Sequence, residues 1–217
     1  MTILAFQTDS EVAAAIPRTV AHLAAGGLLA YPTETVYGVG SRAREREVRE
    51  LAELKGRRKD KPFLLLISNR GMAEGQGLAF NAAADALARA FWPGPITLVL
   101  PGGGGRLPDL LRGPEGGIAV RWTSHGSIAA LVAAMGEPLT STSANRPGEL
   151  PAAGAAAIAR DFSAAVDAGR LLVLDGGVLG NRPPSTVVDC TVLPPRMVRE
   201  GAITGAALRR AVGSLAP

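Results

Sequence analysis

The chain has one cysteine, Cys190, and two histidines, His22 and His125, among its 217 residues. A single thiol excludes an internal disulfide framework and suits a reducing compartment. So few nitrogen and sulfur ligands leave no zinc site of the ordinary type to expect, and no resident metal is assigned. Aromatics make up only 4%, which argues against base stacking as the main mode of any nucleic-acid binding. No apolar run approaches the roughly 20 residues of a membrane-spanning helix. The opening Met1-Thr-Ile-Leu-Ala-Phe6 has no basic leader ahead of an apolar segment. The expectation is a cytoplasmic protein that does not contact a membrane. A Gly-x-x-x-x-Gly-Lys-Ser/Thr loop is missing, and no Gly-x-Gly-x-x-Gly opens a helix after the first strand. There is no repeat of solenoid period.

What is present fits an ordinary folded domain. Apolar residues make up 47% of the chain and the mean hydropathy is +0.19, enough for a sizeable core and against disorder. The length fits one domain spanning 1–217. The net charge of +4 suits anionic partners such as nucleotide, phosphate or nucleic acid, although a solvated arginine-rich surface accounts for it equally. All three lysines, Lys55, Lys59 and Lys61, fall within seven positions, and every other cation is arginine. That cluster points to a need for compact ammonium groups.

Periodicity and punctuation give alternating elements. Helices are expected from Asp9 or Ser10 to about Ala25, over Glu45–Leu54, Ala82–Phe91, Ser127–Met135 and Ala153–Asp161, and after Thr204. Strands are expected over Leu28–Tyr31, Val36–Ala43, Phe63–Ile67, Ile96–Leu100, Ile118–Arg121, Pro138–Thr140, Leu171–Leu174, Thr186–Cys190 and Met197–Arg199. This order mixes crossovers with direct returns. It predicts a three-layer α/β fold with a twisted, mixed parallel and antiparallel sheet and helices on both faces.

Several segments carry candidate chemistry. Tyr31-Pro-Thr-Glu-Thr-Val-Tyr-Gly38 sets two hydroxyls and a carboxylate in a proline-stiffened turn. Its own residues leave open either a small polar ligand or a plain turn with locally satisfied threonines. Glu34 reads as a metal ligand, a general base or a solvated turn carboxylate, the last being the ordinary outcome. Lys55-Gly-Arg57-Arg-Lys-Asp-Lys61-Pro62 follows a helix; its cations fit a triphosphate, though a helix C-terminus attracts cations by itself. Thr140-Ser-Thr-Ser143-Ala-Asn145 is rich in donors able to grip phosphate oxygens, and a capped turn is the alternative. Arg121 ends an apolar strand and needs a partner, a substrate carboxylate or a structural acid. Gly102–Gly105 resembles a phosphate cradle only in composition and reads as a flexible connection. Cys190 reads as a buried, inert thiol. Neither histidine sits in a serine–acid arrangement.

Taken together and in order, these segments resemble the YrdC/TsaC family of threonylcarbamoyl-AMP synthases over nearly the whole chain. The match runs through Trp92-Pro-Gly-Pro-Ile-Thr-Leu-Val-Leu100, Ala119-Val-Arg121, Thr142-Ser-Ala-Asn145, Ser185-Thr-Val-Val-Asp189 and Arg199-x-Gly201. The resemblance implies a YrdC-like fold and a nucleotidyltransferase that joins L-threonine, bicarbonate and ATP, with Mg2+ accompanying the ATP. The family's signature pairs, Lys-x-Arg and Ser-x-Asn, fall on Lys55, Arg57, Ser143 and Asn145. Threonine contacts fall on Thr35, Arg121 and Ser185, and ATP contacts on Arg57, Lys61, Ser141, Ser143 and Arg199. The product would pass to a separate transferase acting on adenosine 37 of tRNA. Arg146-Pro-Gly-Glu-Leu-Pro151 departs from the pattern, with proline where many relatives place a serine near the nucleotide. Ending soon after the last motif, the chain reads as the short, single-domain form. A related subgroup lacks both signature pairs, and both are retained here.

Two other classes remain to be separated. A double-stranded RNA or tRNA binding module would show strongly salt-dependent affinity and no threonine-dependent pyrophosphate release. A carbamoyl-adenylate domain of the hydrogenase-maturation kind would sit beside acylphosphatase and zinc-finger-like parts, which are absent from this sequence.

Overall fold

The computed structural model describes residues 2–56, 62–180 and 182–216. In chain order the elements are β1 (Ile3–Ala5), α1 (Asp9–Ala24), β2 (Leu28–Tyr31), β3 (Gly38–Gly40), α2 (Glu45–Leu54), β4 (Leu64–Ile67), α3 (Arg70–Gly75), α4 (Ala82–Phe91) and β5 (Ile96–Leu100). There follow β6 (Ile118–Trp122), α5 (Gly126–Met135), β7 (Leu139–Ser143), α6 (Ala155–Asp161), α7 (Ser163–Asp167), β8 (Leu171–Asp175), β9 (Thr186–Asp189), β10 (Arg196–Arg199) and α8 (Gly205–Val212). The ten strands form one mixed sheet in the order β1-β8-β2-β3-β7-β4-β6-β5-β9-β10.

Local chemistry sets the ends. Thr8 caps α1 by a reciprocal box with Glu11, and the amide oxygens of Asn69 and Asn81 cap α3 and α4. The central strands are apolar on consecutive residues, so the sheet is covered on both faces. Leu28, Ala30, Leu65, Ile67, Leu171 and Val173 pack on one side, in the core that also holds Val48 and Leu51 of α2 and Leu87 of α4. Leu29, Tyr31, Leu66, Leu172 and Leu174 face the other side, against Leu23 of α1 and Leu131 of α5.

Alternation along the ladder then decides where polar residues appear. Leu66 pairs with Arg121, Leu64 with Ser141, and Val99 with Ala119. Paired residues share a face, so the face that α1 and α5 cover over β2, β4 and β8 continues onto β6, β5 and β9. There its residues change from leucine to Arg121, Thr97, Ser185 and their neighbours. That change positions the site.

Two expectations are corrected. The extended piece at Val36–Ala43 contracts to the strand Gly38–Gly40, because the preceding residues close a threonine-held turn. Gly40 is fixed there by close approach, since a Cβ would stand 1.7 Å from the Thr140 carbonyl oxygen. The strand expected over Pro138–Thr140 runs on through Ser143. The hydroxyl run is therefore strand rather than turn, with Ser141 and Ser143 on one face and Thr140 bonded to Ser41 on the other. In Gly102–Gly105, Gly103 is buried and the other three glycines are exposed. Gly103 N–H donates to the Gly77 carbonyl and Leu78 bridges Gly102.

Candidate active site

A cavity of about 840 Å³ opens on this polar face. Its floor comes from β5, β6 and β9, and one wall from β7 and the segment after it. Among the residues expected to act, Lys55, Ser143, Asn145, Thr35, Arg121, Ser185, Ser141 and Arg199 all line it. Arg57 and Lys61, like Lys59, lie outside the described residues.

Arg121 is 4% exposed, and its guanidinium is held from two sides. Nη2 sits 2.7 Å from Glu34 Oε1, while Nη1 and Nη2 each lie 3.3 Å from Thr35 Oγ1. The proton direction at Thr35 follows from its neighbour. Thr33 Oγ1 donates its single hydrogen to the Val36 carbonyl at 2.7 Å. In the 3.0 Å contact between the two hydroxyls Thr35 must therefore be the donor. Thr35 consequently meets Arg121 as an acceptor. Thr33 Oγ1 also accepts the backbone N–H groups of Thr35 and Val36, which makes the turn rigid.

Glu34 is not the solvated carboxylate expected of a turn. Its side chain is 14% exposed, and it accepts from Thr123 Oγ1 and from the Ser124 N–H at 3.1 Å. Burial alone would raise its pKa. The Arg121 charge and these hydrogen bonds outweigh burial and bring it to about 2. His125 stands alongside; burial lowers its pKa against the pull of Glu34, and its Nδ1 is buried without a hydrogen-bond partner among the described residues.

Across the floor, Ser185 Oγ lies 2.9 Å from Thr97 Oγ1. Arg199 Nη2 donates to the Ser185 carbonyl at 2.8 Å and approaches its Oγ at 3.3 Å. Desolvation, then the nearby Arg121 charge, lowers the Arg199 pKa. The Arg-x-Gly spacing has a local cause. A Cβ at Gly201 would fall 2.2 Å from the Pro184 carbonyl oxygen, so only glycine lets this segment lie against Pro184–Ser185.

On the wall, Lys55 follows α2 and is 6% exposed. Its Nζ donates to the Ser143 carbonyl at 2.8 Å, to the Asn145 carbonyl, and to Asn145 Oδ1 at 3.1 Å. Ser143 Oγ donates to the same Oδ1 at 2.6 Å, and Asn145 Nδ2 donates to the Glu149 carbonyl at 2.6 Å. Two signature pairs 88 residues apart in sequence are thus joined by one ammonium. Arg146, Pro147 and Gly148 continue along the cavity.

Cys190 is buried, and burial followed by the Asp189 charge pushes its thiol up to about 12, consistent with an inert core residue. Sequence reasoning missed the working partners Glu34, Thr123 and Thr97. Part of the cue was present, since a buried strand-end arginine requires an acid, but nothing in the sequence singled out Glu34 as that acid.

A family model for Sua5/YciO/YrdC, described as telomere recombination, matches residues 21–201. The threonylcarbamoyl-AMP synthase of Thiobacillus denitrificans is 40% identical over 174 residues, 80% of this chain and 89% of the relative. That of Pyrococcus abyssi is 34% identical over 191 residues; the match spans 88% of this chain but 55% of the archaeal protein. The structure of P. abyssi Sua5 complexed with L-threonine superposes with a TM-score of 0.88 at 30% identity, covering 99% of this chain and 62% of that one. With the family model matching residues 21–201 and relatives 34–40% identical over most of its length, the chain belongs to the Sua5/YciO/YrdC family.

Proposed function

We propose that the protein is a threonylcarbamoyl-AMP synthase, a nucleotidyltransferase that makes L-threonylcarbamoyladenylate and pyrophosphate from L-threonine, bicarbonate and ATP. One observation carries this reading. A single cavity brings the carboxylate-binding chemistry of Arg121, Thr35 and Ser185 together with the Lys55–Ser143–Asn145 wall and Arg199. Arginine suits a planar carboxylate, and hydroxyls and cations suit phosphate oxygens.

In the proposed reaction, threonine's neutral amine adds CO2, from dehydration of bicarbonate, to give a carbamate. A carbamate oxygen then attacks the α-phosphorus of ATP. The bond to the β-phosphate oxygen breaks and pyrophosphate leaves. A carbamate is unstable in water, so holding amino acid and nucleotide together in one pocket serves both proximity and protection. Arg121 would hold the threonine carboxylate, with Thr35 and Ser185 beside it. Ser141, Ser143 and Arg199 would face the phosphates, with Lys55 supplying positive charge at that wall. Arg57 and Lys61 are proposed as further ATP contacts on the strength of the sequence pattern.

Among the described residues no three His, Cys, Asp or Glu side chains come together. Mg2+ would enter with ATP, as part of the MgATP substrate, carried on phosphate oxygens. The product would supply a tRNA threonylcarbamoyl transferase acting at adenosine 37, and the protein would work in the cytoplasm. Direct contact with tRNA or double-stranded RNA is not needed for this chemistry. Among the described residues no helix is long and apolar enough to cross a membrane.

The test is pyrophosphate release from ATP with threonine and bicarbonate each withheld in turn. The expected result is release only when both are present. Release indifferent to threonine would leave a generic ATPase and end this reading.

A further inference from the structure

Glu34 lies next to two threonines that line the cavity, yet it stands behind Arg121 rather than on the cavity surface. Both of its oxygens are occupied by the protein. Oε1 receives Arg121 Nη2 at 2.7 Å and the Ser124 N–H at 3.1 Å, and Oε2 receives Thr123 Oγ1. Thr123 Oγ1 in turn accepts the His125 N–H at 3.2 Å, so its one hydrogen is committed to Glu34. The carboxylate is pinned by Arg121 of β6 and by Thr123 and Ser124 in the connection to α5, and it cannot swing toward a ligand without breaking three bonds.

An arginine side chain has several rotatable bonds, and ordering it opposes binding. A guanidinium already locked in a fork geometry gives a planar carboxylate a pre-arranged partner. Glu34 on one edge and the Thr35 acceptor on another supply that lock, while Arg121 still lines the cavity.

Given an Arg121 that receives the substrate carboxylate, on which this inference rests, we propose that Glu34 is the positioning residue that fixes Arg121 for the amino-acid substrate, with Thr123 and Ser124 as its clamp. Its action is selective: it orders the amino-acid end of the cavity and leaves the Lys55–Ser143 wall untouched.

The test compares steady-state kinetics of the wild-type protein, Glu34→Gln and Thr123→Val, varying L-threonine and ATP separately. Glu34→Gln keeps the shape and removes the charge. It is expected to raise KM for L-threonine about tenfold, a larger change than in kcat, with KM for ATP shifted less than twofold. Thr123→Val is expected to move KM for threonine in the same direction by about threefold. Equal rises in both KM values, or a threonine KM within twofold of wild type, would overturn the assignment. Should Glu34→Gln fail to fold, Thr123→Val decides by the same criterion. Threonine-independent release by the wild-type protein would instead sink the synthase reading, a distinct outcome read before any variant is made.

Discussion

The floor and the wall of the cavity are built differently. On the floor, side chains hold side chains: Arg121 is gripped by Glu34 and Thr35, and Ser185 by Thr97 and Arg199, most of them anchored in or beside strands. On the wall, a single ammonium holds main-chain and amide oxygens of the segment Ser143–Asn145. A change on the floor should stay local, loosening the one group it held while the other floor groups retain their partners. Removing Lys55 takes its hydrogen bonds to Ser143 and Asn145 at once and releases the segment beyond β7. The two halves of the site should therefore fail in different ways.

The sharpest break should come at Lys55. Lys55→Ala is expected to lose about 10²–10³ in adenylate formation, with folding retained. Lys55→Arg should recover little, because a planar fork cannot reach three oxygens as a compact ammonium does. Undiminished turnover by Lys55→Ala would remove the wall from the account. The floor should respond selectively. Arg121→Ala is expected to raise KM for L-threonine by about 10², the scale of a lost charge-assisted carboxylate contact, with a much smaller change for ATP. Kinetics with each substrate varied alone separates the two patterns, and identical behaviour of both variants would erase the distinction between floor and wall.

Acid should weaken the floor in a defined window. Because the Glu34 pKa is depressed to about 2 in the folded protein, its contribution is complete above the ordinary carboxylate value near 4.5 and is lost as pH falls toward 2. Its size is on the order of 3 kcal/mol. The stability gap between wild type and Glu34→Gln, measured by urea unfolding across that range, should close as pH drops. A gap constant with pH would show that the ion pair does not hold the floor. The smallest effect belongs to Cys190, which directly follows β9 but is buried in the core on the opposite face of the sheet. Treatment of the native protein with iodoacetamide should leave activity unchanged, and rapid loss would show a thiol more reactive than its burial allows.

Much of this was legible in the residues. Leu28–Tyr31, Ile96–Leu100 and Ala82–Phe91 stand where their apolar pattern and caps put them, and Lys55, Ser143 and Asn145, which the sequence pattern singled out together, meet at the wall. What could not be read were the long-range placements. Glu34 and Arg121 are 87 positions apart, and no local signal says that their strand ends meet. Beyond Thr140 the run reads as a donor-rich segment able to grip phosphate, with a capped turn as the alternative, because serine and threonine satisfy turns. In the fold, pairing of β7 with β3 and β4 fixes it as strand, and ladder alternation sends Ser141 and Ser143 to the cavity. Tertiary pairing overrode a local preference there.

The central claim is that amino acid, carbon dioxide and nucleotide become one molecule in this cavity. The most direct measurement incubates the protein with ATP, L-threonine and ¹³C-bicarbonate and analyses the nucleotide products by mass spectrometry. The account predicts an adenylate that carries threonine and gains one mass unit from the labelled carbon. AMP and pyrophosphate formed without that labelled adenylate, at equal rates with and without threonine, would contradict it.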